Sequence, residues 1–242
     1  MKYHELLERG EGAFLPNLSI DLVIIGYEDN VLKCLLPQFG DKWLLPGGYI
    51  GTQESVDAAV QRILKERLGI EQSHLKFLSV FGDENRAFNS EFKAFFDKLG
   101  LTWKQDFWFN NRFVTLAYYS LVRIADTHPI IDELYQGYDW FDFEELPDMW
   151  MDHKSIAETA RDHLKEYIQQ ELVVYNLLPK EFTMPELHQL YESILNKKLD
   201  RSRFQKKMLA AGLFERLPKV KKDAPGRNPY QYRVKEAPTQ LP

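Results

Sequence analysis

The stretch from Gly47 to Ile70, GGYIGTQESVDAAVQRILKERLGI, constrains the fold more than any other. Gly47 and Gly48 end an apolar segment, KWLLPGG. From Glu54 to Leu68 the period is helical, with Val56, Val60, Ile63 and Leu64 recurring at i, i+4, i+7 and i+8. Gly69 is a natural C-terminal cap. Positions 63, 66 and 67 fall on one helix face, where they carry Ile63, Glu66 and Arg67.

The segments around this helix read mostly as strands. SIDLVIIGY and VLKCLLPQF are two, joined by a turn at Glu28-Asp29-Asn30. HLKFLSVFGD, RFVTLAYYSLV and YDWFDF follow. A second helix is expected from Asp152 to Gln170, with Ile156, Ala160 and Leu164 on one face. Strands mixed with two such helices predict a sheet between helices. Between the two middle strands lies a long insert, from Asn85 to Asn111. Its SEFKAFFDKLG predicts a short helix carrying Phe92, Phe95, Phe96 and Leu99, which patches the core or, in a sharper reading, forms a lid or dimer contact.

NLLPKEFT then reads as a linker. Beyond it, Thr183-Met184-Pro185-Glu186 is a capping box with proline in the first turn. Leu187, Leu190, Tyr191, Ile194 and Leu195 form an apolar stripe. Asp200 caps a further helix with Phe204 and Met208 inward, and Gly212 ends it. Two strands flanking a basic hairpin close the chain. This order, helix, turn, helix, hairpin, is that of a winged helix-turn-helix.

Charge divides along the same line. From Glu171 onward 14 Lys and Arg face 8 Asp and Glu, a local charge of +6. The whole chain carries −5, so the preceding residues carry −11. An acidic body repels a polyanion, and a basic tail attracts one. The one cysteine, Cys34, lies in an apolar run and reads as a buried structural thiol in a reducing cytoplasm. No apolar run approaches the roughly 18 residues of a membrane span, and the N-terminus has no signal-peptide core. The six histidines show no zinc-site spacing, so a zinc site has little support, and no metal or cofactor is assigned.

The opening stretch resembles the Nudix box: Gly, five residues, Glu, seven residues, then Arg-Glu-aliphatic-x-Glu-Glu-x-Gly-aliphatic. Gly48, Glu54, Arg62, Leu64, Glu66, Gly69 and Ile70 fall in register, whereas Ile63 and Arg67 replace glutamates. In the active family this face presents carboxylates to Mg²⁺. A guanidinium about 4 Å from a divalent ion costs about 8 kcal/mol at an effective dielectric near 20. No catalytic residue is therefore assigned. Glu54 and Arg62 also read simply as a brace for the loop-helix turn.

Box and winged helix together resemble the Nudix-related transcriptional regulators, the NrtR-like group. FGD at Phe81 to Asp83, Asp152-His153 and the stretch from Leu177 onward add to the likeness. The resemblance implies an α+β chain: a Nudix-type α/β/α sandwich over 1–170, then a winged helix-turn-helix over 171–242. It implies a ligand sensor rather than a catalyst, responding to ADP-ribose, a related nucleotide or a sugar such as arabinose. It further implies a homodimer on a palindromic operator. Candidate effector contacts are Trp43, Tyr49, Glu54, Glu66, Arg67, Asp83, Arg86 and Arg112. For any one arginine alone, a solvated surface role is the simpler reading. Candidate DNA contacts are Arg201, Ser202, Arg203, Gln205 and Lys206 on the recognition helix, and Lys219, Lys221, Lys222 and Arg227 in the hairpin. A Nudix hydrolase with an accessory tail and a protein-binding scaffold are the competing readings.

Overall fold

A computed structural model describes residues 12–70, 75–98, 100, 102–130, 135–168, 172–220 and 228–235. Strand β1 (Phe14–Glu28) is the spine of a seven-stranded sheet. Asp29 and Asn30, at φ 52° and 64°, turn it into β2 (Val31–Phe39), as a two-residue hairpin with positive φ at both positions requires. β2 also pairs with β3 (Lys42–Trp43) and β7 (Gly137–Asp142). The other half of β1 pairs with β4 (Gly47–Gly51) and runs parallel to β6 (Val114–Leu121), which carries β5 (Leu75–Phe81) at the edge.

Alternation along β1 builds two layers of core. Ile20, Leu22 and Ile24 meet Val60, Ile63 and Leu64 of helix α1 (Val56–Leu68). Val23 and Ile25 face the other way, toward Ile156, Ala157, Ala160 and Leu164 of helix α3 (His153–Tyr167). A helix on each face is the sandwich expected from the sequence. Cys34 lies fully buried, and desolvation pushes its thiol pKa up.

Several boundaries differ from the sequence reading. Helix α1 begins at Val56, because Ser55 is its cap and accepts from the Ala58 amide at 3.2 Å. Glu54 stands in the turn before it. Helix α3 begins at His153, and Asp152 occupies the cap position without capping through its side chain. The insert helix, α2 (Asn89–Lys98), buries Phe95 and Phe96 against Trp150 in a small third core, so the core-patching reading holds for these residues. Leu99 lies outside the described residues. The presumed linker is packed: a 3₁₀ helix spans Leu172–Leu177, and Leu177, Leu178 and Phe182 are buried. Its polar and proline residues read as a tether, but its apolar residues are drawn into the core.

The C-terminal unit comprises β8 (Phe182–Thr183), α4 (Met184–Leu195), α5 (Arg201–Ala210), β9 (Phe214–Lys219) and β10 (Tyr230–Val234), with sheet order β8-β10-β9. The capping box forms fully: the Thr183 hydroxyl accepts from the Glu186 amide, and Glu186 reaches back to the Thr183 amide at 2.6 Å. Asp200 caps α5 by accepting from the Arg203 amide at 2.8 Å. Leu187, Leu190, Tyr191, Ile194, Phe204 and Met208 join the core cluster that holds α3.

Candidate effector site and nucleic-acid interface

A cavity of about 980 Å³ opens between the Gly47-Gly48 strand, α1, the loop after β5 and the start of α3. Gly48 lies close against α1: a Cβ there would stand 3.0 Å from Ile63, which is 1% exposed beneath it. Ile63 thus fills core on a face where the resemblance places a metal ligand. Beside it, Arg62 grips Glu54 through two nitrogens at 3.0 and 2.6 Å, donates to the Tyr49 carbonyl at 2.8 Å, and reaches Glu66 at 3.1 Å. Glu54 also accepts from the Gly51 amide at 2.6 Å. Arg62, then the Gly51 amide, holds its carboxyl below the usual range against the opposing effect of burial. The pair is the brace read from the sequence, and it spends two carboxylates on a guanidinium. Among the described residues no group of three or more His, Cys, Asp or Glu is gathered to hold a metal ion.

Tyr49, Glu54, Glu66, Arg67 and Arg86 all line the cavity. Arg67 lies over the Tyr135 ring at 5.3 Å. Trp43, Asp83 and Arg112 are not among its lining residues. Trp43 packs edge-on against Phe141 at 4.6 Å. Asp83 instead shapes the loop, accepting from the Asn85 amide at 2.9 Å, and Arg112 is exposed. Arg86 is not the surface arginine expected: it is 5% exposed and clasps Asp152 at 2.8 and 3.1 Å. Aromatic residues not assigned as effector contacts from sequence, Phe14, Phe39, Phe88, Phe92, Phe113 and Trp150, also line it.

The cavity floor holds a further surprise. Asp21, in the middle of an apolar strand, is 6% exposed and lies 3.4 Å from Arg86 and 3.6 Å from His153. A carboxylate within a buried run was the signal that partners must exist. His153 accepts from the Leu45 amide through Nδ1 at 2.9 Å, so its proton sits on Nε2, facing Asp21. Burial, ahead of every charge nearby, lowers its pKa. Unfolded, the imidazole titrates near pH 6.5, at about its ordinary value. Below that pH the unfolded chain takes up a proton that the folded chain refuses, so His153 removes stability from about pH 6.5 down to its lower folded pKa. We expect the urea midpoint of the wild type to fall more steeply between about pH 7 and pH 5 than that of His153→Asn, which retains an acceptor for Leu45. Equal slopes would refute a buried neutral histidine.

On the opposite unit, Arg201, Ser202, Arg203, Gln205 and Lys206 are all exposed on α5, while Phe204 and Met208 point inward. Lys219 stands 5.0 Å from the Tyr230 ring, and Arg216 lies over the same ring at 3.6 Å. Arg216 was missed because its aromatic platform appears only once the β9–β10 register is known. Lys221, Lys222 and Arg227 lie outside the described residues.

Residues 19–161 match the model of the NUDIX domain, and residues 174–234 that of the NrtR DNA-binding winged helix domain. The chain belongs to the Nudix family, in its NrtR-like branch of transcriptional regulators. It is similar to the ADPR responsive transcriptional repressor NtrR of Acinetobacter baylyi, with 24% identity over 225 residues, covering 89% of this chain and 80% of that one. The crystal structure of Shewanella oneidensis NrtR complexed with a 27mer DNA superposes with a TM-score of 0.67 at 25% identity, over 90% of this chain and 93% of the other. A MutT/nudix family protein from Enterococcus faecalis matches in fold with the same TM-score, at 22% identity, over 97% and 94% of the two chains. Both structures match this chain over nearly its whole length, through the Nudix domain and the winged helix alike. Among the described residues no helix is long and apolar enough to cross a membrane.

Proposed function

We propose that this chain is a cytoplasmic, ligand-responsive transcriptional regulator with a non-catalytic Nudix cavity. Residues 1–170 sense the effector, and residues 171–242 bind operator DNA as part of a homodimer. The observation that carries the reading is the use of the box residues: Arg62 neutralises Glu54 and Glu66, Ile63 is core, and Arg67 sits where a metal ligand would be. Such a face suits an anion or a polyhydroxylated ligand better than Mg²⁺, which demands hard oxygen ligands in near-octahedral array. A sugar or nucleotide sugar meets both the aromatic wall and the arginines, with Tyr49 against a ring and Arg67 and Arg86 toward hydroxyls or phosphate. ADP-ribose is the first candidate, because the Acinetobacter relative is described as ADPR responsive.

Operator contacts fall to Arg201, Ser202, Arg203, Gln205 and Lys206 in the major groove. Lys219, together with the hairpin residues Lys221, Lys222 and Arg227, meets the backbone or minor groove. The test is direct. With ADP-ribose and Mg²⁺ or Mn²⁺ we expect no turnover near the ordinary enzyme rate of about 10 per second, and we expect ADP-ribose to change operator affinity in fluorescence anisotropy. Turnover at that rate, abolished in Glu66→Gln, would restore the hydrolase reading.

A further inference from the structure

Asp21, Arg86 and His153 are buried, and with the half-buried Asp152 they form a polar knot between the cavity and the start of α3. Arg86, Asp21 and His153 line the cavity, whereas Asp152 is not among its lining residues. Arg86 meets both Asp152 oxygens, donates to the Phe113 carbonyl at 3.1 Å, and approaches Asp21 at 3.4 Å. A ligand anion reaching Arg86 would compete with those carboxylates for the same guanidinium.

Asp152 has a second use within reach. It holds the cap position of α3, yet no side chain caps the helix there, because its carboxylate is turned to Arg86. Aspartate is among the best N-cap residues, and its charge suits the positive end of a helix. The turn before it is strained. Met151 has φ 55°, a left-handed conformation uncommon for a side chain of this size. Its amide is held by Glu91 of α2 at 3.3 Å, and Trp150 is clamped by Phe92 and Phe95. Strain that the surroundings maintain at a ligand cavity is a feature of switch regions. From this turn α3 runs to the core that it shares with α4: Leu164 and Ile168 lie in one cluster with Leu187 and Leu190.

We propose that Asp152 is a positioning residue that passes effector occupancy to the winged helix by exchanging its partner, Arg86, for the N-terminal amides of α3. The inference rests on the regulatory reading above. Asp152→Asn separates the two uses: asparagine caps a helix as well as aspartate does but loses the ion pair with Arg86. Its operator affinity without ligand should equal that of wild type saturated with ADP-ribose. Adding ADP-ribose should then change it less than about twofold, against a typical allosteric factor of roughly 5- to 150-fold in wild type. Calorimetry should still show ADP-ribose bound. Asp162→Asn, an exposed substitution on the same helix, should respond like wild type. Arg86→Lys keeps the charge without the two-point grip. It should move unliganded operator affinity in the same direction, and it carries the test if Asp152→Asn does not fold. An Asp152→Asn protein with wild-type coupling overturns the inference, and so does one that no longer binds ADP-ribose, since Asp152 would then be a ligand contact. If wild type itself shows no response to ADP-ribose, the regulatory reading fails instead, and this inference with it.

Discussion

Arg203→Ala is expected to weaken operator binding by about 1–3 kcal/mol and to relax specificity at one base pair, because arginine reads guanine through two hydrogen bonds. Its side chain is exposed on α5, while its backbone amide is already committed to the Asp200 cap. The substitution should therefore remove a DNA contact without disturbing the helix. Lys219→Ala should act differently. Lys219 sits on β9 beside the Tyr230 ring, where a phosphate contact is sequence-blind. All duplexes should bind more weakly, and the slope of log affinity against log salt should fall by about 1. Anisotropy on a panel of single-base operator variants at several salt concentrations distinguishes the two. A base-independent loss for Arg203→Ala, with an altered salt slope, would move α5 out of the groove and onto the backbone.

How far the chain could be read without coordinates depended on the range of the interactions. Helix α1, the capping box at Thr183 and Glu186, the Asp200 cap and the Asp29-Asn30 turn were all legible, because each is decided within a few residues. The sandwich followed from strands mixed with the two helical periods that became α1 and α3. What stayed hidden was long-range. Arg86 looked like a surface cation because its partners, Asp21 and Asp152, are 65 and 66 residues away. Trp43 reads as a candidate effector contact, but a two-residue strand has too short a pattern to show which side of the sheet it takes. The segment 176–183 reads as a tether by its Pro, Lys and Glu, yet Leu177, Leu178 and Phe182 are buried. The aromatic cavity wall drew on five separate stretches, of which only the insert stood out in the sequence.

Leu190→Ala should cost about 2–5 kcal/mol, the usual range for emptying a fully buried leucine site, and the loss should be felt across the whole molecule. Leu190 lies in α4 and is 0% exposed. Its core cluster also contains Leu164 and Ile168, Val174 and Tyr175 beyond α3, and Val23 and Ile25 of the central sheet. Helix α4 packs on both α3 and β2. Two units with separate cores would unfold separately, whereas units sharing one core unfold together. The tryptophans make this measurable. All five, Trp43, Trp103, Trp108, Trp140 and Trp150, precede α3. Their fluorescence therefore reports the N-terminal unit, while loss of operator binding reports the C-terminal one. In urea the two transitions should coincide in wild type, and Leu190→Ala should shift both to lower denaturant by the same amount. A tryptophan transition that stays in place while operator binding is lost early would mean that the winged helix melts independently. The shared core could not then carry a signal from the cavity, since a helix that communicates with its neighbour through packing must lose stability when that neighbour does.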